Sequence, residues 1–220
     1  MNNEIIKRVL SSLILIPVAL FFIIKGSYFF NFFILICFLI SSYEWHLMSK
    51  NKKYHLPGFI FIIFSFYTVY YTRNEMYGDY FYFITIVMIC IFTDIGGYLF
   101  GKIFKGPKLI KISPNKTYAG MAGGYLCSII FMSTLFNNLD FVSEITNIGT
   151  RSKELSLDYF SLVIAISTIS QLGDITVSYF KRLSKIKNTG KILPGHGGLL
   201  DRVDGLIFAV PFAYVLFKIL

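Results

Sequence analysis

Four aspartates, Asp94, Asp174, Asp201 and Asp204, stand within or against long apolar stretches of this 220-residue chain. A carboxylate inside a bilayer is expensive, roughly 2.5–3.5 kcal/mol by insertion scales, and by default points to function. Asp201 and Asp204 are three residues apart, so on a helix they share one face. Clustered carboxylates hold hard divalent cations such as Mg²⁺, which normally works together with substrate phosphates. Lys102, Lys105, Lys108, Lys111 and Lys116 crowd one short segment, and Arg202 stands between the paired aspartates. Cations so placed would hold the same phosphates from another side. These residue types therefore point to metal-dependent phosphate chemistry. For any one aspartate, a helix-locking ion pair with Arg202 or a lysine competes with that reading. Four at one depth beside basic loops weigh against it.

Two loops add to the pattern. Pro194, Gly195, His196, Gly197 and Gly198 lie between a basic segment and an apolar run, where backbone can approach a ligand closely and helix N–H groups face an anion. Ser113, Pro114, Asn115, Lys116 and Thr117 precede another apolar run in a comparable way. Neither is a Walker A loop, and each alone is equally compatible with a plain turn. His196 suits a metal ligand, a proton carrier, a phosphate donor or a loop-orienting hydrogen bond, with nothing to choose among them. His46, His55, Trp45 and the tyrosines near the run ends read as interfacial. Glu44, just inside an apolar run, is expected to pair with a loop lysine and is given no role in the site.

The elements that must position these groups are membrane helices. The chain is 55% hydrophobic and 15% charged, against roughly 25% charged in a soluble domain. Seven apolar runs, 9–24, 28–42, 57–72, 80–100, 118–136, 159–177 and 199–219, are candidates for spans, although the first three fall short of the usual length of about 20. The first follows Lys7 and Arg8 as in a signal peptide, but no small-residue cleavage site follows it, so it is expected to stay as a helix. Cys37, Cys90 and Cys127 lie in apolar runs without C-x-x-C spacing and read as buried thiols. The expected fold is all-α, a polytopic integral membrane helical bundle of about seven transmembrane helices. It forms one domain over 1–220, with hydrophobic spans in 1–90 and catalytic spans and loops in 91–220. With the N-terminus inside, sixteen of the 21 Lys and Arg residues fall on the cytoplasmic side, and the four aspartates lie near that boundary. The net charge of +9 thus belongs to loops facing anionic lipid, and nucleic acid is not expected as a partner.

The run from Ser178 to Asp204 closely resembles the signature of the phosphatidate cytidylyltransferases, or CDP-diacylglycerol synthases. The Lys181-Arg182 pair, the Pro194–Gly198 loop and the Asp201-Arg202-Val203-Asp204 ending hold the signature's spacing. Gln171-Leu172-Gly173-Asp174, Thr93-Asp94-Ile95-Gly96-Gly97-Tyr98 with Gly101-Lys102, and Ile112–Thr117 resemble further blocks of the family. The likeness runs from about residue 93 to 210; the first 90 residues match only in being hydrophobic. Three positions depart from the pattern. Asn188 replaces an aspartate, and Val177 and Ala119 stand where many members carry glutamate. The chain is also short for the family, an expectation of missing N-terminal spans.

The resemblance implies that CTP and phosphatidic acid give CDP-diacylglycerol and pyrophosphate, as a lipid phosphate oxygen attacks the α-phosphorus of CTP. It implies Mg²⁺ on Asp174, Asp201 and Asp204, and admits a second, monovalent cation. Lys181, Arg182, His196 and Arg202 join these aspartates as catalytic residues. Asp94, Ser113, Asn115, Lys116, Thr117, Gln171, Lys187, Gly197 and Gly198 are the expected substrate-binding set. The expected place is the inner membrane, with several passes and the site facing the cytoplasm; a homodimer is left open. Another CTP-dependent lipid enzyme, a polyprenol kinase or archaeal lipid cytidylyltransferase, would use similar headgroup chemistry. A transporter is disfavoured because the acidic residues sit at one boundary and no symmetry of broken spans is visible. A non-catalytic scaffold draws on the three lost carboxylates.

Overall fold

A computed structural model describes residues 2–75, 80–110, 113, 116–138, 157–192 and 197–219. Among them are eight helices: α1 (Asn2–Lys25), α2 (Ser27–Ser49), α3 (His55–Asn74), α4 (Phe81–Phe104), α5 (Tyr118–Asn137), α6 (Leu157–Leu183), α7 (Leu200–Val203) and α8 (Leu206–Ile219). The protein is a polytopic membrane helical bundle. Ser27–Ser49, Phe81–Phe104, Tyr118–Leu135 and Phe160–Leu183 are long and apolar enough to cross a membrane, while Leu13–Lys25 and Leu206–Ile219 are shorter apolar stretches. Each of the seven apolar runs falls on a helix. The last is corrected in one respect: it is two helices, α7 and α8, broken at Asp204 and Gly205.

Helices in lipid gain nothing from hiding apolar surface, so small residues and interhelical hydrogen bonds decide their packing. The α4–α5 pair is the most intimate in the bundle. A methyl group on Gly120 would lie 2.7 Å from the Gly97 carbonyl oxygen, and one on Gly96 would collide with the Gly123 carbonyl. On α3, Ser65 Oγ donates to the Ile207 carbonyl of α8 at 2.7 Å, and Ser65, Thr68 and Thr72 are all buried. Between α1 and α2, Gly26 takes a φ of 63°. There Arg73 Nε and Nη2 donate to the Ile23 carbonyl at 2.9 and 2.7 Å, satisfying an oxygen that a helix end leaves open.

The core has two layers. One joins Phe30, Phe83, Ile86, Met132, Ile166 and Val210; the other joins Trp45, Met48, Ile62, Phe66, Val177, Leu200 and Ile207. Outside both, Phe32, Leu39, Ile63, Ile103, Ile130 and Leu172 are exposed, an apolar exterior that suits contact with lipid. Beside the second layer α6 crosses the α7–α8 break, and the polar groups gather there.

Candidate active site

Glycine sets the crossing. A methyl group on Gly173 of α6 would lie 2.8 Å from the Asp204 carbonyl oxygen, and one on Gly205 would lie 2.5 Å from Ser170 Oγ. The backbones therefore pass closely, and the Asp174 and Asp204 carboxylates come within hydrogen-bonding reach of one another. Asp94, on α4, faces them closely enough to feel the charges of Asp174, Lys116 and Arg202. These groups line one cleft of about 320 Å³, together with Thr117, Gln171 and Asp201.

The α4–α5 connection delivers the lysine. After α4 the chain turns through Lys105 and Gly106, at φ 52° and 85°. Lys108 and Thr117 then form an antiparallel bridge, with the Leu109 N–H donating to the Lys116 carbonyl at 2.8 Å. Thr117 caps α5, its hydroxyl oxygen accepting from the Gly120 N–H at 3.1 Å. This folded-back loop places Lys116 Nζ 2.5 Å from Asp174 Oδ2. Ser113 lies in the turn that precedes it, its carbonyl accepting from the Lys116 N–H at 3.0 Å.

Two more carboxylates fasten the segment between α6 and α7. Asp201 Oδ1 accepts from Lys181 Nζ at 2.8 Å, while Oδ2 accepts from the N–H groups of Thr189 and Gly198 at 2.8 and 3.1 Å. Lys181 is only 8% exposed, so the pair neutralises two charges that burial would otherwise make costly. Glu44 is 1% exposed. Its Oε1 accepts from the Leu199 N–H at 2.9 Å, and its Oε2 from the Leu200 N–H and the Thr189 hydroxyl, both at 2.8 Å. The lysine pair expected for Glu44 is thus corrected: its carboxylate is held by two backbone N–H groups and a hydroxyl. Backbone N–H groups are the partners that sequence reasoning missed. Glu44 lies just past the 28–42 run, and backbone N–H groups leave no side-chain pattern to find.

The sequence-predicted residues divide in two. Asp94, Lys116, Thr117, Gln171, Asp174, Asp201, Arg202 and Asp204 meet at the cleft. Lys181 does not line it, but pairs with Asp201 and lies close enough to Asp204 for its charge to act there. Arg182 is exposed and donates from Nη1 to the Ile186 carbonyl at 3.1 Å, and Lys187 is exposed on the following segment. Gly197 and Gly198 let the chain approach its own side chains. A methyl group on Gly197 would lie 3.1 Å from Asp201 Oδ2, and one on Gly198 2.5 Å from Glu44 Oε2. Asn115 and His196 lie outside the described residues. Of the departures from the signature, Val177 is buried in the second core layer and Asn188 is exposed.

The donor set fits Mg²⁺. Two carboxylates in contact repel when both are ionised, and a hard cation between them removes the repulsion. Among the described residues, no group of three or more His, Cys, Asp or Glu side chains is placed to hold a metal ion. An ion held by one or two carboxylates, with water and substrate phosphates completing its shell, is the habit of Mg²⁺.

A broken apolar helix, a glycine-packed neighbour pair and a cleft of carboxylates faced by Lys116 and Arg202 define a polytopic membrane helical bundle with a charged cleft. The chain belongs to the cytidylyltransferase family, whose model matches residues 6–81 and 58–220. It is 34% identical over 186 residues to the phosphatidate cytidylyltransferase of Staphylococcus aureus strain COL and 35% identical over 188 residues to that of Staphylococcus saprophyticus. The Staphylococcus epidermidis protein of the same name is 34% identical over 186 residues. Each alignment covers 81% of this chain and 65% of the relative, so the chain spans just under two thirds of the relatives' length.

Proposed function

We propose that this chain transfers CMP from CTP to phosphatidic acid at the α6–α7 cleft, giving CDP-diacylglycerol and pyrophosphate. The carrying observation is the convergence of Asp94, Asp174 and Asp204 with Lys116 and Arg202 in one cleft of a lipid-facing bundle. A bond forms between a phosphatidate oxygen and the α-phosphorus of CTP, and the bond from that phosphorus to the pyrophosphate oxygen breaks. The nucleophile is already anionic near neutral pH, so the task is to bring two polyanions together and stabilise the leaving group.

Asp174 and Asp204 would hold Mg²⁺, with Asp94 facing them; Asp201, the third ligand implied by the resemblance, spends its oxygens on Lys181, Thr189 and Gly198. The ion supplies charge neutralisation on the phosphate oxygens when bound. Lys116 and Arg202 add fixed positive charge from the α5 and α7 sides. Thr117 holds the start of α5, and with it the position of Lys116. The basic asymmetry of the loops supports a cleft open to the cytoplasm of an inner membrane, where CTP arrives from water and phosphatidic acid from the bilayer.

Pyrophosphate release by the purified protein tests the reading. We expect it to require CTP, Mg²⁺ and phosphatidic acid together. Release without phosphatidic acid, or transfer to a polyprenol instead, would overturn the substrate assignment.

A further inference from the structure

We propose that Glu44 is a positioning residue for the reaction, an anionic clamp that sets α7 and therefore Arg202 and Asp204 in the cleft. This rests on the reaction assigned above, although the clamp itself can be read independently of it.

Glu44 belongs to α2, outside the segment that resembles the family signature, yet the chain near α7 is wrapped around its carboxylate. Methyl groups on Gly190 and Gly198 would each lie 2.5 Å from a Glu44 carboxylate oxygen. The Thr189 hydroxyl and the N–H groups of Leu199 and Leu200 point into the same two oxygens. All three partners are donors, so the position calls for a group that only accepts. Hydrogen bonds to an ionised acceptor are the strong kind, and a buried carboxylate requires them. Thr189 completes the link, because its own N–H donates to Asp201 Oδ2. Glu44, Thr189 and Asp201 form one chain of contacts from α2 to α7, and Asp204 follows Asp201 by three residues.

Glutamine is nearly isosteric with glutamate but turns one acceptor into a donor. In Glu44→Gln the amide would face either the Leu199 N–H or the Leu200 N–H, donor against donor. Thr189→Val removes one hydroxyl contact and leaves both backbone contacts in place; Thr189→Ser keeps all three.

The test compares the unsubstituted protein with these variants in the same lipid nanodiscs, by kinetics and by hydrogen exchange of the peptide containing Leu199 and Leu200. For Glu44→Gln we expect exchange at least tenfold faster at that peptide, with α4 and α5 unchanged. We also expect kcat about 100-fold lower, the scale of a small misplacement of reacting groups, with KM for phosphatidic acid changed less than about threefold. Thr189→Val should fall between, and Thr189→Ser should retain activity. Unchanged exchange in folded Glu44→Gln would overturn the clamp, whatever the activity. Faster exchange with unchanged kcat would overturn the positioning role. An unsubstituted protein with no transferase activity, alongside faster exchange in Glu44→Gln, would overturn the assigned reaction and confine Glu44 to holding the loop. Loss of α4 and α5 protection in Glu44→Gln would mark general unfolding. Thr189→Val would then decide: normal exchange and kcat in that variant would overturn the proposal.

Discussion

Gly173 of α6 touches the backbone of Asp204: an added methyl group would lie 2.8 Å from the Asp204 carbonyl oxygen and 2.8 Å from Phe208 Cδ2. The residue beside Asp174 thus sets how closely the α7–α8 break, and with it the Asp204 carboxylate, can approach.

Gly173→Ala should lower kcat by about 100-fold, because small displacements of reacting groups carry large rate penalties. Overpacking of this kind costs about 1–3 kcal/mol, so the protein should still fold. Pyrophosphate release measured beside thermal unfolding separates the two effects. Activity within twofold of the parent would show that the crossing tolerates a methyl group without moving Asp204.

Asp174→Asn and Asp204→Asn should each reduce turnover by about 100- to 1000-fold, the scale seen when a single electrostatic group is deleted from an active site. Hydrogen exchange at residues 197–200 should stay near normal in both. Asp201→Asn should differ by speeding that exchange, since its oxygens hold Thr189, Gly198 and Lys181. If Asp201→Asn lost activity while its loop stayed protected, Asp201 would belong with the metal ligands.

Lys116→Met should reduce kcat/KM for CTP by roughly 100-fold, through loss of a charge-assisted contact to phosphate and an unpaired Asp174. Raising Mg²⁺ should recover part of the loss, because the freed carboxylate binds cations more readily. A KM for CTP equal to that of the parent would place Lys116 outside the nucleotide site.

The α4–α5 contact makes a contrast between adjacent residues. Gly96→Ala puts a methyl group into the Gly123 carbonyl and should lower thermal stability by about 1–3 kcal/mol. Gly97→Ala, whose methyl group would lie 3.7 Å from the Gly120 carbonyl, should unfold near the parent temperature. Equal melting of the two variants would mean that the helices separate without penalty.

Asn188→Asp should change activity by no more than about fivefold, the span of a solvated charge pair worth about 0–1 kcal/mol. Asn188 is exposed, lies against Gly197 and is not among the residues that line the cleft. A large gain, or a sharp fall in Mg²⁺ requirement, would show that this segment reaches the metal.

The seven helical stretches were legible because long apolar runs leave few alternatives, and Asp94, Asp174 and Asp204 were legible because carboxylates there are expensive. The break at Asp204 and Gly205 was not: a single glycine in an apolar run is common, and its meaning lies in the contact with Ser170. Asp201 and Asp204 share a cleft, as their spacing led one to expect, yet their oxygens do different things. Spacing reports the face of a helix, not the donors waiting there. Glu44 was harder still. Its partners at Leu199 and Leu200 offer only backbone N–H groups, which every non-proline residue carries, so no side-chain pattern advertises the contact.

The bond from Glu44 to Leu200 crosses 156 positions of sequence. Segments coupled in this way have to be inherited together. A chimera that exchanged α2 for a foreign helix, or residues 189–200 for a foreign loop, would leave a lone buried carboxylate or a set of orphaned N–H groups. The helix and the distant loop therefore act as a matched pair, and a foreign replacement must supply both halves of the contact.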